Sequence, residues 1–253
     1  MSNPQQYTFI LEPVYGLSGN LFAWELLTRF VDDADIKHMR NPAREAVFFS
    51  HLPVEQKWQL FLRQIDQLER LYQKGFRQII SVNINRDIVS SIFSDEKTQQ
   101  RLALLPFFRF EISSFFIARF TRADLLILKG LAKIAPLWLD DFGPGYSSLT
   151  MMSSGIFECV KIDKAFFWQY GESHIFDLLL GHLNDLCSGV IIEGVENQRH
   201  IEILAHKAIY GMQGYHWDGV YLDDFINKSW VATSTSDPCG KQLCQKKNLR
   251  SFM

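Results

Sequence analysis

The sequence predicts an α/β protein folded as a TIM-like (β/α)8 barrel in which the first strand is antiparallel. Short apolar segments with strand character alternate with helical segments along the chain, a pattern typical of parallel βαβ units. About eight strands can be counted in this alternation, and 253 residues suffice for one barrel of ordinary size. The first two strands, Tyr7–Tyr15 and Leu21–Arg29, are separated only by the turn Gly16–Asn20, which predicts an antiparallel hairpin.

The other elements follow from apolar periodicity and from turn and cap residues. Helical periodicity over Asn41–Gly75, with a stripe that includes Phe61, Ile65 and Leu68, predicts a long first helix. The strands expected after it are Gln78–Ile84, Phe107–Ile112, Leu137–Leu139, Cys159–Ile162, Gly189–Ile192 and Ala208–Gln213. The further helices expected are Asp87–Phe93, Thr98–Leu105, Arg122–Ile134, Phe176–Leu186, Arg199–Ala205 and Leu222–Trp230. We expect a single barrel domain over residues 1–231 and a flexible polar tail over 232–253.

The composition excludes several classes of protein. A chain that is 47% hydrophobic and 14% aromatic can bury a large core and is not disordered. A net charge of −2 without a dominant basic segment argues against a general binder of DNA or RNA polymers. The four cysteines lack the spacing of a zinc site. The N-terminus lacks a secretory signal, and no apolar run approaches the roughly 20 residues that span a bilayer. These features predict a cytoplasmic protein without a membrane partner.

The most informative segment is Pro136–Leu149. Two adjacent carboxylates, Asp140 and Asp141, follow the apolar run Leu137–Leu139 and precede a Gly-Pro-Gly turn. We expect both in a loop at the carboxyl end of a buried strand, where α/β folds carry their chemistry. Neighbouring carboxylates repel each other unless a proton or a cation lies between them. A divalent metal site is one interpretation, and an acidic turn with solvated aspartates is the other.

Polar residues at the ends of successive predicted strands form a consistent chemical set. The set contains Glu25, Asn83, Glu111, Asp140, Asp141, Lys161, Asp163, Glu193, Glu196 and Gln213. Strand ends of a barrel meet at one mouth, and oxygen ligands select hard cations such as Mg²⁺ or Mn²⁺. Two such ions about 3.5–4 Å apart are a common device for phosphodiester hydrolysis. Any one of these residues is as well explained as a helix cap or a turn residue, but their joint placement favours a metal site.

Motifs at these positions resemble those of a known family. The segment Asp140–Leu149, Asp-Asp-Phe-Gly-Pro-Gly-Tyr-Ser-Ser-Leu, resembles the DDFGTGYSSL loop of EAL domains, bacterial phosphodiesterases that open cyclic di-GMP to linear pGpG. Further matches are Glu25–Arg29 (EALxR), Ser81–Ile84 (VNLS), Phe110–Ile112 (the strand bearing a glutamate), Lys161–Asp163 (KID), Glu193–Glu196 (EGVE) and Gln213–Tyr215 (QGY). The resemblance covers roughly residues 7–230 and identifies the chain as similar to a stand-alone EAL protein.

The resemblance implies a role for each matched residue. It implies two metal ions, either Mg²⁺ or Mn²⁺. The ligands it implies for them are Glu25, Asn83, Glu111, Asp140, Asp141 and Glu193. Lys161 would orient the attacking water, with Glu193 and Glu25 counted among the catalytic residues. Arg29 would contact a substrate phosphate, while Asp163, Glu196 and Gln213 would shape the substrate pocket. The residues implied in positioning the loop that carries Asp141 are Phe142, Gly143, Pro144, Gly145 and Ser114.

The chain departs from the family pattern at four positions. Leu26 replaces the alanine of the EAL motif, a change that affects packing only. Pro144 replaces the threonine of the DDFGTG loop, which removes a hydroxyl and an N–H and fixes φ. Ser114 stands where the family has the second glutamate of its ELTE motif, which steadies that loop, and Glu12 stands where a glutamine usually precedes the first-strand proline.

These features support three hypotheses. The first is an active cyclic di-GMP phosphodiesterase that lowers a second messenger controlling motility, adhesion or biofilm, because every metal-ligand position is retained. The second is an inactive EAL-like protein that binds a transcription regulator, and the third is a receptor that binds cyclic di-GMP and cleaves it slowly. The resemblance also implies a homodimer formed through the loop after Asp141 and the helix that follows it.

Overall fold

The fold begins with an antiparallel hairpin that opens a closed barrel. In the computed structural model, which describes residues 7–30, 49–113, 121–143 and 146–227, strand β1 (Tyr7–Tyr15) pairs antiparallel with β2 (Leu21–Phe30). Strands β3 to β8 are Ile79–Asn83, Phe108–Ser113, Leu137–Phe142, Phe157–Ile162, Gly189–Ile192 and Gly211–Met212. Each pairs in parallel with the strand before it, starting from β2.

The barrel closes because β1 also pairs with β8, where Tyr15 lies opposite Met212. A short strand β9 (Val220–Tyr221) adds to the same edge of β1, opposite Leu11 and Ile10. The described sheet therefore confirms the predicted α/β barrel with an antiparallel first strand.

Helices cover the outside of the barrel between the strands. They are α1 (Val54–Gln73), α2 (Arg86–Ser94), α3 (Glu96–Ala103), α4 (Arg122–Leu131), α5 (Tyr146–Met152), α6 (Lys164–Tyr170), α7 (His174–Leu186), α8 (Gln198–Leu204) and α9 (Leu222–Asn227). Side chains cap several of their N-termini, as Asn85 does for α2 and Thr121 for α4. Within the described ranges, no helix has the length and apolar character needed to cross a bilayer.

Several element boundaries differ from those predicted. The helix expected over Asn41–Gly75 is interrupted within its described part, because residues 49–51 are helical and α1 starts again at Val54, directly after Pro53. Helix α6 and strand β9 were not predicted. The strand expected over Ala208–Gln213 is only Gly211–Met212. Residues 228–253 lie outside the described part of the chain, so the flexible tail remains a prediction.

The inside of the barrel has an apolar layer beneath a polar one. The apolar cluster contains Val14, Phe22, Ala23, Ile79, Trp138, Cys159 and Ile191, and it is separate from the main core between sheet and helices. Side chains alternate between the two faces of a strand. The residues two positions further along five of these strands therefore also point inward: Glu25, Ser81, Asp140, Lys161 and Glu193. This alternation places four members of the predicted polar set, Glu25, Asp140, Lys161 and Glu193, above the apolar layer inside the barrel.

Candidate active site

A lysine lies at the centre of the polar layer. The Lys161 side chain, on β6, is completely buried, and its Nζ donates to Glu25 Oε2 at 2.8 Å and to Glu111 Oε1 at 2.7 Å. Glu193 Oε1 lies 2.9 Å from the same nitrogen and Asp140 Oδ1 lies 3.9 Å from it. Four carboxylates, three on strands β2, β4 and β5 and one directly after β7, thus surround one ammonium group.

Two amides hold Glu25 in place. Asn83 Nδ2 donates to Glu25 Oε1 at 2.6 Å, and Gln213 Nε2 donates to Glu25 Oε2 at 2.7 Å. Burial alone would raise the pKa of Glu25, but Lys161 and these hydrogen bonds outweigh it and keep the pKa below its usual value. Glu25 is therefore a carboxylate fixed in its ionised form.

The other carboxylates bind protons more tightly than usual. Burial and the neighbouring charge of Glu25 raise the pKa of Glu111 to about 8, against the opposing effect of Lys161. Burial and Glu193 raise the pKa of Asp140 well above its usual value, and burial also raises that of Glu193. Burial would lower the pKa of Lys161, but the surrounding carboxylates raise it, so the ammonium stays charged. The cluster carries more acid groups than one ammonium can neutralise.

The Asp140–Asp141 pair lies within a strand rather than in the loop that the sequence predicts. Strand β5 continues to Phe142, and its register against β6 is irregular between Leu139 and Phe142. Asp141 has φ +53°, a left-handed conformation that is uncommon for residues other than glycine. Its Oδ2 accepts a hydrogen bond from Ser113 Oγ at 2.7 Å. The irregularity lets both neighbouring side chains face the site, since strict alternation would turn one of them outward.

Three oxygen-bearing side chains form a group suited to a metal. One carboxylate oxygen from each of Asp140, Asp141 and Glu193 can be chosen so that all three lie within 4.8 Å of one another. Among the described residues, Glu111 Oε2, Asp140 Oδ1 and Gln213 Oε1 are buried without a hydrogen-bond partner. Buried oxygens of this kind are costly unless something binds them. An all-oxygen set of this charge fits a hard divalent cation.

The site opens into an acidic cavity of about 210 Å³. Its carboxylate lining consists of Glu12, Glu25, Asp141, Asp163, Glu193 and Glu196, and Lys164, Gln213 and Tyr215 also line it. A larger cavity of about 530 Å³ lies between α1 and α2, beside Trp58 and Asp87, and none of the predicted site residues lines it. We take the smaller cavity as the candidate active site because Glu25 and Glu193 of the charged cluster line it.

The residues that the resemblance implies in substrate binding make different contacts in the structure. Arg29 Nη2 donates to Glu12 Oε1 at 3.0 Å. Asp163 caps α6, accepting from the backbone N–H groups of Ala165 and Phe166. Glu196 is exposed, and its backbone N–H lies 3.2 Å from His200 Nδ1. All of these residues lie on strand ends or on the loops after them.

The loop-positioning residues are only partly described. Phe142 is buried at the end of β5, and Gly143 follows it. Pro144, Gly145 and Ser114 lie outside the described residues, so their predicted roles stay predictions.

Two residues near the site were not predicted as functional. Ser113 contacts Asp141, and Glu12 contacts Arg29. The sequence could have indicated Glu12, because pairing the two strands of the predicted hairpin outward from its turn brings Glu12 close to Glu25. No sequence signal pointed to Ser113, since its contact depends on the irregular end of β5.

Comparison with known proteins identifies the family. A family model described as "EAL domain" matches residues 4–218. The chain belongs to the EAL domain family. This EAL protein is 26% identical over 215 residues to "Cyclic di-GMP phosphodiesterase PdeH" of Escherichia coli (strain K12), covering 81% of this chain and 80% of PdeH. It is 25% identical over 221 residues to "Anti-FlhC(2)FlhD(4) factor YdiV" of Salmonella typhi, covering 85% of this chain and 91% of YdiV.

Solved structures show the same fold. The crystal structure of the EAL-like domain protein YdiV matches with a TM-score of 0.73 and 20% identity, covering 87% of this chain and 96% of that one. The PaMucR phosphodiesterase in complex with c-di-GMP matches with a TM-score of 0.64 and 21% identity, covering 87% of this chain and 94% of that one. The EAL fold therefore extends over nearly all of the described chain.

Proposed function

We propose that this EAL protein hydrolyses cyclic di-GMP to linear pGpG and thereby lowers a second messenger that controls motility, adhesion or biofilm. The observation that carries the proposal is the convergence of Glu25, Glu111, Asp140 and Glu193 around Lys161 at the mouth of the barrel. Excess buried negative charge of this kind favours divalent cations. The similarity to PdeH, whose name records this activity, supports the same assignment.

The residues that would hold Mg²⁺ or Mn²⁺ are Glu25, Asn83, Glu111, Asp140, Asp141 and Glu193. The metal pair would supply a water of lowered pKa and positive charge beside the phosphate. The protein side chains have separate tasks: Asn83 and Gln213 fix the orientation of Glu25 through hydrogen bonds to its two oxygens. Ser113 holds one oxygen of Asp141 by donating a hydrogen bond to it.

Lys161 would supply a fixed positive charge that orients the attacking water. Its ammonium is buried and hydrogen-bonded, so it needs no reorganisation when negative charge develops nearby. Arg29 would bind a non-bridging phosphate oxygen through its guanidinium fork. Tyr215 lines the cavity with 44% of its surface exposed, and its ring offers a stacking face for a guanine base.

The direct test is turnover. Purified protein incubated with cyclic di-GMP and either Mg²⁺ or Mn²⁺ should form pGpG, measured by chromatography. Glu25→Ala should reduce kcat/KM by more than about a hundredfold, because outer-sphere residues of metal sites already cost 10- to 100-fold. The matched control is Glu172→Ala, which removes an exposed carboxylate paired with Arg199 and should keep full activity. Absence of pGpG from the unaltered protein with both metals would contradict the proposal.

A second candidate function is binding of a transcription regulator or of cyclic di-GMP as a receptor. The observation favouring it is the match to YdiV, whose name describes an anti-FlhC(2)FlhD(4) factor and whose structure gives a TM-score of 0.73. Binding of cyclic di-GMP without turnover, or binding of an FlhC–FlhD-type regulator by a Glu25→Ala variant, would favour this function.

Light scattering on the purified chain tests the homodimer that the family resemblance implies.

A further inference from the structure

The arginine expected to bind phosphate is already paired with a carboxylate of its own chain. Glu12 on β1 lies directly opposite Glu25 on β2, so both side chains occupy the inward face of the hairpin. Arg29 comes four residues after Glu25 on the same strand and therefore shares that face. Its Nη2 donates to Glu12 Oε1 at 3.0 Å.

The pair is shielded from solvent and borders the site. The side chains of Arg29 and Glu12 expose 16% and 15% of their surface. Glu12 also lines the 210 Å³ cavity together with five other carboxylates. Solvent screens a charge pair less when the pair is shielded in this way.

A phosphate must compete with Glu12 for the guanidinium. Carboxylate and phosphate oxygens use the same planar N–H donors of arginine. If a phosphate displaced Glu12, this carboxylate would lose its cation while facing Glu25 and the other acids of the cavity, which is costly. If Glu12 stayed, its negative charge would repel the arriving phosphate.

We propose that Glu12 is a specificity-determining residue that competes with phosphate groups for Arg29 and so weakens their binding at the barrel mouth. The inference rests on the proposed function only for the assignment of Arg29 to a substrate phosphate. It adds that the chain carries an internal carboxylate that sets the affinity of this subsite. Neutralising Glu12 should therefore strengthen the binding of phosphate anions.

The test uses inorganic pyrophosphate as the probe and protein freed of metal on a chelating resin. Affinity is measured by calorimetric titration at about 0.15 M ionic strength, where the Debye length is about 8 Å. Glu12→Gln keeps the size of the side chain and should tighten pyrophosphate binding roughly tenfold, somewhat more than an exposed ion pair would give. Equal or weaker binding, or no measurable binding to this variant, would overturn the proposal and indicate that Glu12 instead positions Arg29.

Two further variants separate competition from general charge. Glu172→Gln removes one exposed carboxylate, paired with Arg199 and not part of the cavity lining, and it should change the affinity by less than about twofold. In an Arg29→Gln background, Glu12→Gln should bring no gain, whereas an equal gain there would contradict competition at Arg29. Circular dichroism and melting temperature report whether each variant folds. If Glu12→Gln does not fold, Glu12→Ala replaces it in the same measurements.

A parallel assay with cyclic di-GMP keeps the two proposals distinct. If no variant binds or cleaves cyclic di-GMP but Glu12→Gln gains affinity for pyrophosphate, the proposed function fails and the inference on Glu12 stands. If the unaltered protein cleaves cyclic di-GMP and Glu12→Gln gains nothing, the inference fails and the proposed function stands.

Discussion

Lys161 acts as the internal cation of the metal-free site. A lysine without solvent exposure is tolerated only when paired, and here it donates to Glu25 and Glu111 and also contacts Glu193. Removing it leaves several buried carboxylates without their shared counter-ion. Because this loss affects the folded protein even without substrate, unfolding experiments can measure the role of Lys161 in stability separately from any role in catalysis.

We expect Lys161→Met to lower the free energy of unfolding of the metal-free protein by about 3–5 kcal/mol, as is usual when one partner of a buried ion pair is removed. Urea unfolding measures the change. The matched control is Lys207→Met, which breaks the more exposed pair with Asp177 and should cost about 1 kcal/mol or less. Equal losses in the two variants would show that Lys161 is not the counter-ion of the cluster.

Glu111 gives the metal-free protein a pH-dependent stability. Its pKa rises from a usual 4.5 to about 8 on folding, because burial and Glu25 disfavour its charged form. The folded protein holds this proton more tightly than the unfolded chain does, so the contribution to stability is complete below pH 4.5 and is lost as the pH rises through 8. We expect stability to fall from about pH 4.5 to about pH 8 and to level off above that range.

Urea unfolding of the metal-free protein across this pH range checks the sign. Glu111→Gln should make the dependence shallower, because glutamine cannot release a proton, while Asp140 and Glu193, whose pKa values are also raised, keep part of it. Glu69→Gln, which alters an ion pair with Arg101 on the protein surface, should keep the slope of the unaltered protein. A slope of opposite sign, or the same slope in Glu111→Gln, would show that Glu111 is ionised in the folded state.

At the scale of elements, the loop after β7 is held by close backbone packing. Gly194 follows Glu193 with φ +74°, and a Cβ there would lie 2.3 Å from the Cβ of Lys164 at the start of α6. The Gly194 carbonyl accepts a hydrogen bond from Trp168 Nε1 at 2.8 Å. The position of Glu193 therefore depends on how α6 meets this loop.

We expect Gly194→Ala to destabilise the protein by about 1–3 kcal/mol, through positive φ and steric overlap, and to lower phosphodiesterase activity by displacing Glu193. Thermal unfolding and pGpG formation measure the two effects. Gly181→Ala is the matched control, because this glycine lies in α7 with open space around its Cα and alanine favours a helix by about 1 kcal/mol. A stable and fully active Gly194→Ala variant would contradict the positioning of Glu193 by this loop.

The same elements show what the sequence could and could not predict. The sequence motif around Asp163 suggested a site residue, but Asp163 also caps α6, a helix that lacks a clear apolar stripe and was missed. The aspartate pair was expected in a loop because the apolar run ends at Leu139 and a Gly-Pro-Gly turn follows the pair. The irregular register of β5 and the left-handed Asp141 are backbone features that no residue pattern here encodes.

At the scale of the molecule, topology accounts for the convergence of the site. Seven successive strands from β2 to β8 are parallel, so their carboxyl ends meet at one mouth whatever the details of each helix. The polar residues at those ends could therefore be assigned to one site by counting strands. The contacts Glu12–Arg29 and Ser113–Asp141 depend on side-chain conformation and on strand register, and both emerged only from the structure.

The whole barrel should be more stable when the acidic site binds a metal, because the carboxylates that repel one another lie on β2, β4 and β5 and directly after β7. At 100 times the dissociation constant, Mn²⁺ or Mg²⁺ should stabilise the protein by about 2.7 kcal/mol, a rise in melting temperature of about 5–10 °C for a chain of this size. Asp140→Asn should lose most of this shift and yet keep or gain stability without metal, because burial and Glu193 disfavour the charge of Asp140. Asp66→Asn, which alters an exposed partner of Arg101, should keep the full shift. Thermal unfolding with metal and with chelator measures all three proteins, and an undiminished shift in Asp140→Asn would place metal binding elsewhere on the chain.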